Sequence, residues 1–309
     1  MTESTPTNRP TFPAGARPII FGEVLFDCFA DGQAVLGGAP FNVAWHLQGF
    51  GCAPLMISSV GSDALGDKVC ATMREWGMDV AGLQRSEHYP TGQVTVHEQD
   101  GQPSYEIVPG QAYDHISAPA ALAAVGQQPA ALVYHGSLAL REAASRAALD
   151  SLLQLDGRQS GPPVFLDLNL RAPWWEPPRI EQLMQRARWL KLNDEELCEV
   201  SRRPLTEGPE LQAYAKTLFA DCALERLIVT RGAQGVFVVS AEGLAEGRPV
   251  AANAIVDTVG AGDAFSAVTI QGILQGWSIA YTLDRALAFA ARICQQRGAT
   301  AQHPELYRD

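Results

Sequence analysis

Nowhere in the 309 residues do two cysteines form a C-x-x-C pair, and the histidines also lack ligand spacing. Cys28, Cys52, Cys70, Cys198, Cys222 and Cys294 are scattered. That argues against a structural zinc site and a disulfide framework, and it fits a reducing, cytoplasmic setting. No uninterrupted apolar stretch reaches the roughly 18 residues of a membrane-spanning helix. Cations are scarce: 23 Lys and Arg stand against 34 Asp and Glu, a formal charge of −11. Such a surface repels nucleic acid and anionic lipid, so neither is an expected partner, although a local cationic pocket for a small anion remains compatible with it. The chain has no internal repeat and no low-complexity linker. Its opening, MTESTPTNRPTFPAGARP, carries four prolines and no apolar h-region. Residues 1–17 therefore read as a loose tail rather than a signal peptide.

What is present is ample core material, with 47% hydrophobic and 18% charged residues. Short apolar runs at 18–26, 54–60, 131–134, 164–168, 188–192 and 227–230 read as buried strands. Helix-like segments lie at 40–50, 63–77, 141–155, 178–187, 207–221, 263–276 and 281–297. Such alternation predicts a mostly parallel α/β sheet covered by helices on both faces. Residues 91–109 break it: two alternating runs flank Gln99-Asp100-Gly101, a hairpin signature with one open face. With the 27–36 segment they predict a small β-sheet lid, from about 28–37 and 89–112, on one domain spanning 18–309.

The most informative segment is Asp257-Thr258-Val259-Gly260-Ala261-Gly262-Asp263-Ala264-Phe265. A glycine-containing turn that opens a helix aims free N–H groups at one point and adds the positive end of the helix dipole, which makes an anion site. Gly-x-Gly before a helix equally fits a plain N-cap. Asp257, six residues before Asp263, strengthens the chemical reading. A carboxylate beside an anion hole can take a proton from a hydroxyl nucleophile while the N–H groups hold a phosphoryl group. Other nucleotide motifs fail. Gly61 to Lys68, GSDALGDK, has Asp67 where a Walker A loop needs lysine, and no G-x-G-x-x-G follows the first strand.

Near the start, Gly37-Gly38-Ala39-Pro40-Phe41-Asn42 joins the lid segment to a helix. Paired glycines allow close approach to a ligand, and Asn42 both donates and accepts. Asp27, read as the end of the first strand, can accept two hydroxyl hydrogen bonds, a set suited to a polyol. Asp27 as a turn residue and Asn42 as a cap fit the same residues. Asn193 and Glu196, three apart, read as one helix face able to share a magnesium shell, or as an acidic helix start. Arg171 follows an apolar strand, where parallel sheets place ligand groups, although a surface arginine fits there too. Trp174 and Trp175 read as core or lid packing rather than a stacking platform.

The glycine pair with Asn42 and the D-T-V-G-A-G-D-A-F segment resemble the two signatures of the ribokinase-like (PfkB-type) carbohydrate kinases, across about residues 18–300. Asn193-Asp194-Glu195-Glu196 is similar to the family's N-x-x-E. Thr230-Arg231-Gly232-Ala233-Gln234-Gly235 is similar to its T-x-G-x-x-G. Asp167-Leu168-Asn169-Leu170-Arg171 is similar to the D-x-N-x-R of the fructokinase-type branch. Gly22-Glu23, Asp27 and the G-G-A-P-x-N spelling lean the same way, while Phe41 departs from a position that is usually small.

The resemblance implies a ribokinase-like α/β/α fold with a β-lid, and transfer of the ATP γ-phosphoryl group to a sugar hydroxyl. It implies Asp263 as base and the N–H groups of Gly260, Ala261, Gly262 and Asp263 as anion hole. Asp27, Gly37, Gly38, Asn42, Arg171 and Asp263 would bind the sugar. Asn193, Glu196, Thr230, Gly232, Gly235, Gly260 and Gly262 would border ATP. Glu196 would reach Mg2+ through water, and Asp257 and Val259 would lie by a monovalent cation, K+. The lid would also carry a homodimer contact. Residues 18–67 hold no Lys or Arg, so a fixed anion on the sugar would lack a partner there. That favours a neutral polyol, with the spelling pointing to fructose and its 6-hydroxyl. The alternatives are 2-keto-3-deoxygluconate, should Arg171 turn into the pocket, another sugar or nucleoside of the same family, and a non-catalytic sensor on the same fold.

Overall fold

The computed structural model describes residues 12–99, 102–155, 161–203, 205, 208–249 and 255–308. Residues 1–11 of the expected tail, and Asp100 and Gly101 of the expected hairpin turn, lie outside that set. The strands are β1 (Arg17–Phe21), β2 (Leu25–Phe29), β3 (Ala34–Gly37), β4 (Leu55–Gly61), β5 (Leu83–Ser86), β6 (Gly92–Gln99), β7 (Gln102–Ile107), β8 (Ala130–His135), β9 (Val164–Asp167), β10 (Trp189–Asn193), β11 (Arg226–Thr230), β12 (Val236–Ser240) and β13 (Gly243–Gly247). The helices are α1 (Ala39–Gly49), α2 (Ala64–Glu75), α3 (Ala118–Val125), α4 (Ala143–Leu152), α5 (Pro177–Arg186), α6 (Asp194–Ser201), α7 (Pro209–Asp221), α8 (Ala261–Gln275) and α9 (Ile279–Ile293).

The larger sheet runs β13-β12-β11-β10-β9-β8-β1-β4-β5. It is parallel from β11 to β5, with an antiparallel edge made by β12 and β13. Strand alternation sends neighbouring side chains to opposite faces. On β10, Trp189 joins the core under α1, α8 and α9, while Leu190 and Leu192 join the core under α4, α5 and α7. Each fully buried Phe or Leu of these cores contributes roughly 1.5–3 kcal/mol. That burial holds the carboxyl ends of the parallel strands on one rigid edge, where open α/β sheets bind ligands.

The smaller sheet runs β3-β2-β6-β7 and comprises the two segments expected to form a lid. Leu25, Val94, Tyr113, Leu138 and Ala139 fasten it to the body, with Trp174 packed alongside. Trp175, half-buried, packs against the core of the large sheet, so both tryptophans are packing residues.

Three expectations need correction. The apolar run 18–26 is not one strand. At Gly22 (φ +148°) a Cβ would run into Pro40, and the chain leaves the large sheet there to re-form as β2 in the small one. Asp27 therefore sits within β2 rather than at the end of the first strand. β5, β12 and β13 were not singled out in the sequence: β5 and β13 carry little apolar patterning, and β12 pairs back across a tight turn instead of following a helix.

Candidate active site

The start of α8 is the centre of the site. Gly260 caps it in a left-handed conformation (φ +80°), and a Cβ there would collide with Ala299. The first ladder bond across this end runs from the Ala264 N–H to the Gly260 carbonyl at 2.9 Å. The N–H groups of Gly262 and Asp263 therefore precede the ladder, as in any helix first turn. The Ala261 N–H instead turns toward the Thr258 carbonyl at 3.3 Å, so within the expected anion hole it is the weaker contributor.

Asp263, in that first turn, accepts a hydrogen bond from Asn42 Nδ2 at 2.8 Å, joining residues far apart in sequence. Burial is the main cause pushing its carboxyl up, to about 6. The Asn42 bond and the Lys191 and Arg171 cations oppose the shift, and Asp167 adds to it. A carboxylate held so is a stronger base than a surface aspartate.

Around Asp263 stand polar groups from separate segments. Glu23, 4% exposed, occupies the break between β1 and β2. Burial raises its carboxyl to about 7, against its own backbone hydrogen bond and the charges of Arg171 and Arg141. Glu23 Oε2 and Asn42 Oδ1 are buried without a hydrogen-bond partner, two acceptors that a ligand hydroxyl would satisfy. Burial also raises the Asp27 carboxyl, with Arg171 opposing. A Cβ on Gly37 would stand 3.9 Å from both Asn42 Oδ1 and Asp27 Oδ2, so the glycine keeps the space between them open. Gly38 (φ +108°) lets the chain pass Glu23, whose carbonyl would lie 2.8 Å from a Cβ there. Phe41 is 1% exposed and packs against Trp45, so its bulk enters the core rather than this space.

Arg171 is an exposed side chain bonded to the Leu170 carbonyl at 2.9 Å. Its charge nevertheless lowers the carboxyls of Glu23, Asp27 and Asp263, so its field falls on this cluster.

Asn193 and Glu196 do not share a helix face. Asn193 precedes α6 as its N-cap, and the two form a capping box. Asn193 Oδ1 accepts the Glu196 N–H at 2.7 Å, and Glu196 Oε2 accepts the Asn193 N–H at 2.9 Å. Glu196 Oε1 takes the Leu170 N–H at 2.7 Å, tying α6 to the turn before Arg171. Thr230 is the register partner of Asn193 across β10–β11. Gly232 and Gly235, both at positive φ, shape the turn that follows, in which the Arg231 N–H meets the Gly235 carbonyl at 2.7 Å.

Asp257 accepts the Val259 N–H at 3.0 Å and the Gly298 N–H at 3.1 Å, seating the loop before α8 on the 298–299 segment. Its remaining lone pairs are the hard oxygen donors that a monovalent cation takes. Among the described residues no three His, Cys, Asp or Glu side chains converge as a metal cage. Glu196, whose two carboxylate oxygens already accept backbone N–H groups, would reach a hydrated Mg2+ only through water.

Sequence reasoning missed one residue of the site, Lys191, and named two, Glu23 and Asp167, without a role. Lys191 bridges both oxygens of Asp167 at 2.9 Å, buried directly behind Gly262. The signal was a lone lysine inside the apolar run 188–192, which is costly to bury unpaired.

The arrangement offers a buried base, an anion-binding helix start and hydroxyl acceptors together, the parts of a phosphoryl transfer to an alcohol. The chain is 27% identical over 298 residues to the Escherichia coli fructokinase, covering 93% of each. It is 28% identical over 258 residues to the aminoimidazole riboside kinase of Salmonella typhimurium, covering 81% of this chain and 76% of that one. The Vibrio cholerae fructokinase structure, with fructose, ADP and calcium bound, superposes at a TM-score of 0.77 and 22% identity over 96% of this chain and 99% of that one. The fold is thus ribokinase-like. The model of the pfkB carbohydrate kinases matches residues 29–306, and the chain belongs to that family.

Proposed function

We propose that this carbohydrate kinase transfers the γ-phosphoryl group of ATP to a hydroxyl of a neutral sugar, fructose at its 6-hydroxyl in the first instance. The observation that carries the reading is a single helix turn. It bears a buried carboxylate tied to Asn42 at 2.8 Å and the N–H groups of Gly262 and Asp263 that precede the α8 ladder. The sugar oxygen bonds to the γ-phosphorus, the bond from phosphorus to the ADP oxygen breaks, and the hydroxyl proton passes to Asp263. The N–H groups of Gly260, Gly262 and Asp263, with a lesser share from Ala261, hold the charge on the equatorial oxygens.

Glu23, Asp27 and Asn42 accept and orient the sugar hydroxyls, and Gly37 and Gly38 admit the sugar close to the backbone. Asn193, Thr230, Gly232 and Gly235 border the nucleotide. When bound, a Mg2+ would supply charge neutralisation, and Glu196 would orient its waters. The small sheet acts as a lid over the sugar. With Phe29 and Tyr105 exposed at 39% and 56%, it is also the surface for a homodimer, which sedimentation tests.

A second reading rests on Arg171. Its charge falls on Glu23, Asp27 and Asp263, and a guanidinium there suits a sugar acid such as 2-keto-3-deoxygluconate. A coupled ADP assay over fructose, 2-keto-3-deoxygluconate, ribose, aminoimidazole riboside and fructose 6-phosphate separates the two. Fructose giving the highest kcat/KM supports the first reading. Any other sugar at least about tenfold above it replaces fructose. Sugar binding without ADP release would mark a sensor.

A further inference from the structure

Between the large sheet and the start of α8 lies a buried ion pair that the transfer chemistry leaves without a role. Lys191 and Asp167, 6% and 3% exposed, are register partners on β10 and β9. Lys191 Nζ stands 2.9 Å from both Asp167 oxygens. Asp167 Oδ2 also accepts from Ser266 Oγ at 2.7 Å and from the Tyr134 hydroxyl at 3.3 Å. Ser266 lies one turn along α8 from Gly262, whose carbonyl its hydroxyl also approaches at 3.0 Å. Lys191 Nζ would be 3.6 Å from a Cβ on Gly262, so the ammonium sits directly behind the anion-binding turn.

Stability is a poor explanation for such a pair. Buried ion pairs replaced by apolar groups of similar volume often leave a protein as stable or more so. Their location explains these two better. We propose that Lys191 and Asp167 are positioning residues for phosphoryl transfer: they anchor the start of α8 to the sheet through Ser266 and keep the charge behind Asp263 balanced. The inference rests on Asp263 as the base.

The ionisable groups acting on Asp263 come from several elements. They are Asp167 and Arg171 on and after β9, Lys191 on β10, Glu23 after β1 and Tyr134 on β8. Glu196 on α6 acts on Lys191. α1 contributes the neutral Asn42. The buried face of α9, Thr282, Leu283, Ala286, Phe289 and Ile293, carries no charge. Within this set Asp167 and Lys191 act on Asp263 with opposite signs.

Opposite signs give a test that a purely structural role would not pass. Lys191→Met removes a cation that opposes proton uptake at Asp263, so Asp263 holds its proton more tightly. The acid limb of kcat/KM then moves up by about one pH unit. Asp167→Asn removes an anion that raises the Asp263 carboxyl, and the limb moves down by a similar amount. The double variant returns the limb to near wild type. Its kcat still falls on the order of tenfold, because a neutral bond replaces the charge-assisted anchor.

Thermal melts report which variants fold. Should a single variant fail to fold, the other single and the double carry the test, read as kcat per folded molecule at saturating ATP and sugar. Limbs that stay put or move together, or a double variant within about twofold of wild-type kcat, overturn the proposal. Asp263→Asn is run alongside. If it retains turnover, the reading of Asp263 as base fails instead.

Discussion

In the proposed function, the phosphate side and the sugar side of this site are built by opposite means. On the phosphate side, four successive residues, Gly260 to Asp263, supply the anion-binding turn and the base from one helix start. On the sugar side the groups come from distant segments: Glu23 after β1, Asp27 on β2, Asn42 on α1 and Arg171 beyond β9. Backbone N–H groups would hold the phosphates, and their direction is set once the chain turns. Side chains would hold the sugar, and their meeting depends on how the two sheets and α1 pack. A transfer step common to many sugars can therefore be written as a short motif, while the choice of sugar is distributed through the fold.

The largest expected effect lies where the two sides meet. Asp263→Asn keeps the shape and removes the base, so kcat falls on the order of 10²–10⁴ with KM for both substrates little changed. Steady-state kinetics check it, and near-normal turnover would break the comparison at its centre. On the sugar side alone, Asp27→Ala removes hydroxyl acceptors. It should raise the sugar KM by about 10–100-fold while the ATP KM stays within about twofold, a split that titrating each substrate separately reveals.

Arg171→Ala sharpens the comparison further. A neutral sugar should lose less than about tenfold in kcat/KM, and a sugar acid on the order of 100-fold. The pH profile follows from the raised carboxyl of Asp263. The base must be ionised, so kcat/KM is full well above pH 6 and falls as pH drops through about 6.

Glu23 gives a smaller, thermodynamic effect. Its folded-state carboxyl is raised to about 7, so the stability it contributes is complete below its unfolded value near 4.5 and is lost as pH rises through about 7. Glu23→Gln should therefore raise Tm at pH 8, by an amount equivalent to about 1–3 kcal/mol, and do little at pH 5. Calorimetry at the two values decides it. The mildest test exchanges Na+ for K+: if the Asp257 and Val259 loop holds a monovalent cation, turnover rises several-fold in K+.

Much of the fold was legible because it rests on local signals. The apolar runs at 54–60, 164–168 and 227–230 and the helix at 207–221 fall within a residue or two of β4, β9, β11 and α7. The split of 18–26 escaped because its cause, the Pro40 ring against Gly22, lies across a tertiary contact. The capping box of Asn193 and Glu196 is a local motif, yet spacing alone did not separate an N-cap from a helix face.

The sequence by itself determined the alternating α/β pattern, the small-sheet segments and the glycine-containing helix start, since each depends on residues close together in the chain. It also suggested a sugar pocket free of cations, because residues 18–67 have none. Only the tertiary structure decided that the charge of Arg171 falls on Asp27 and that Asn42 reaches Asp263. Only the structure set Lys191 against Asp167 behind Gly262. The reason is physical: strand register and layer packing bring together charges far apart in sequence, and through a low-dielectric interior those charges, more than chain neighbours, set one another's ionisation.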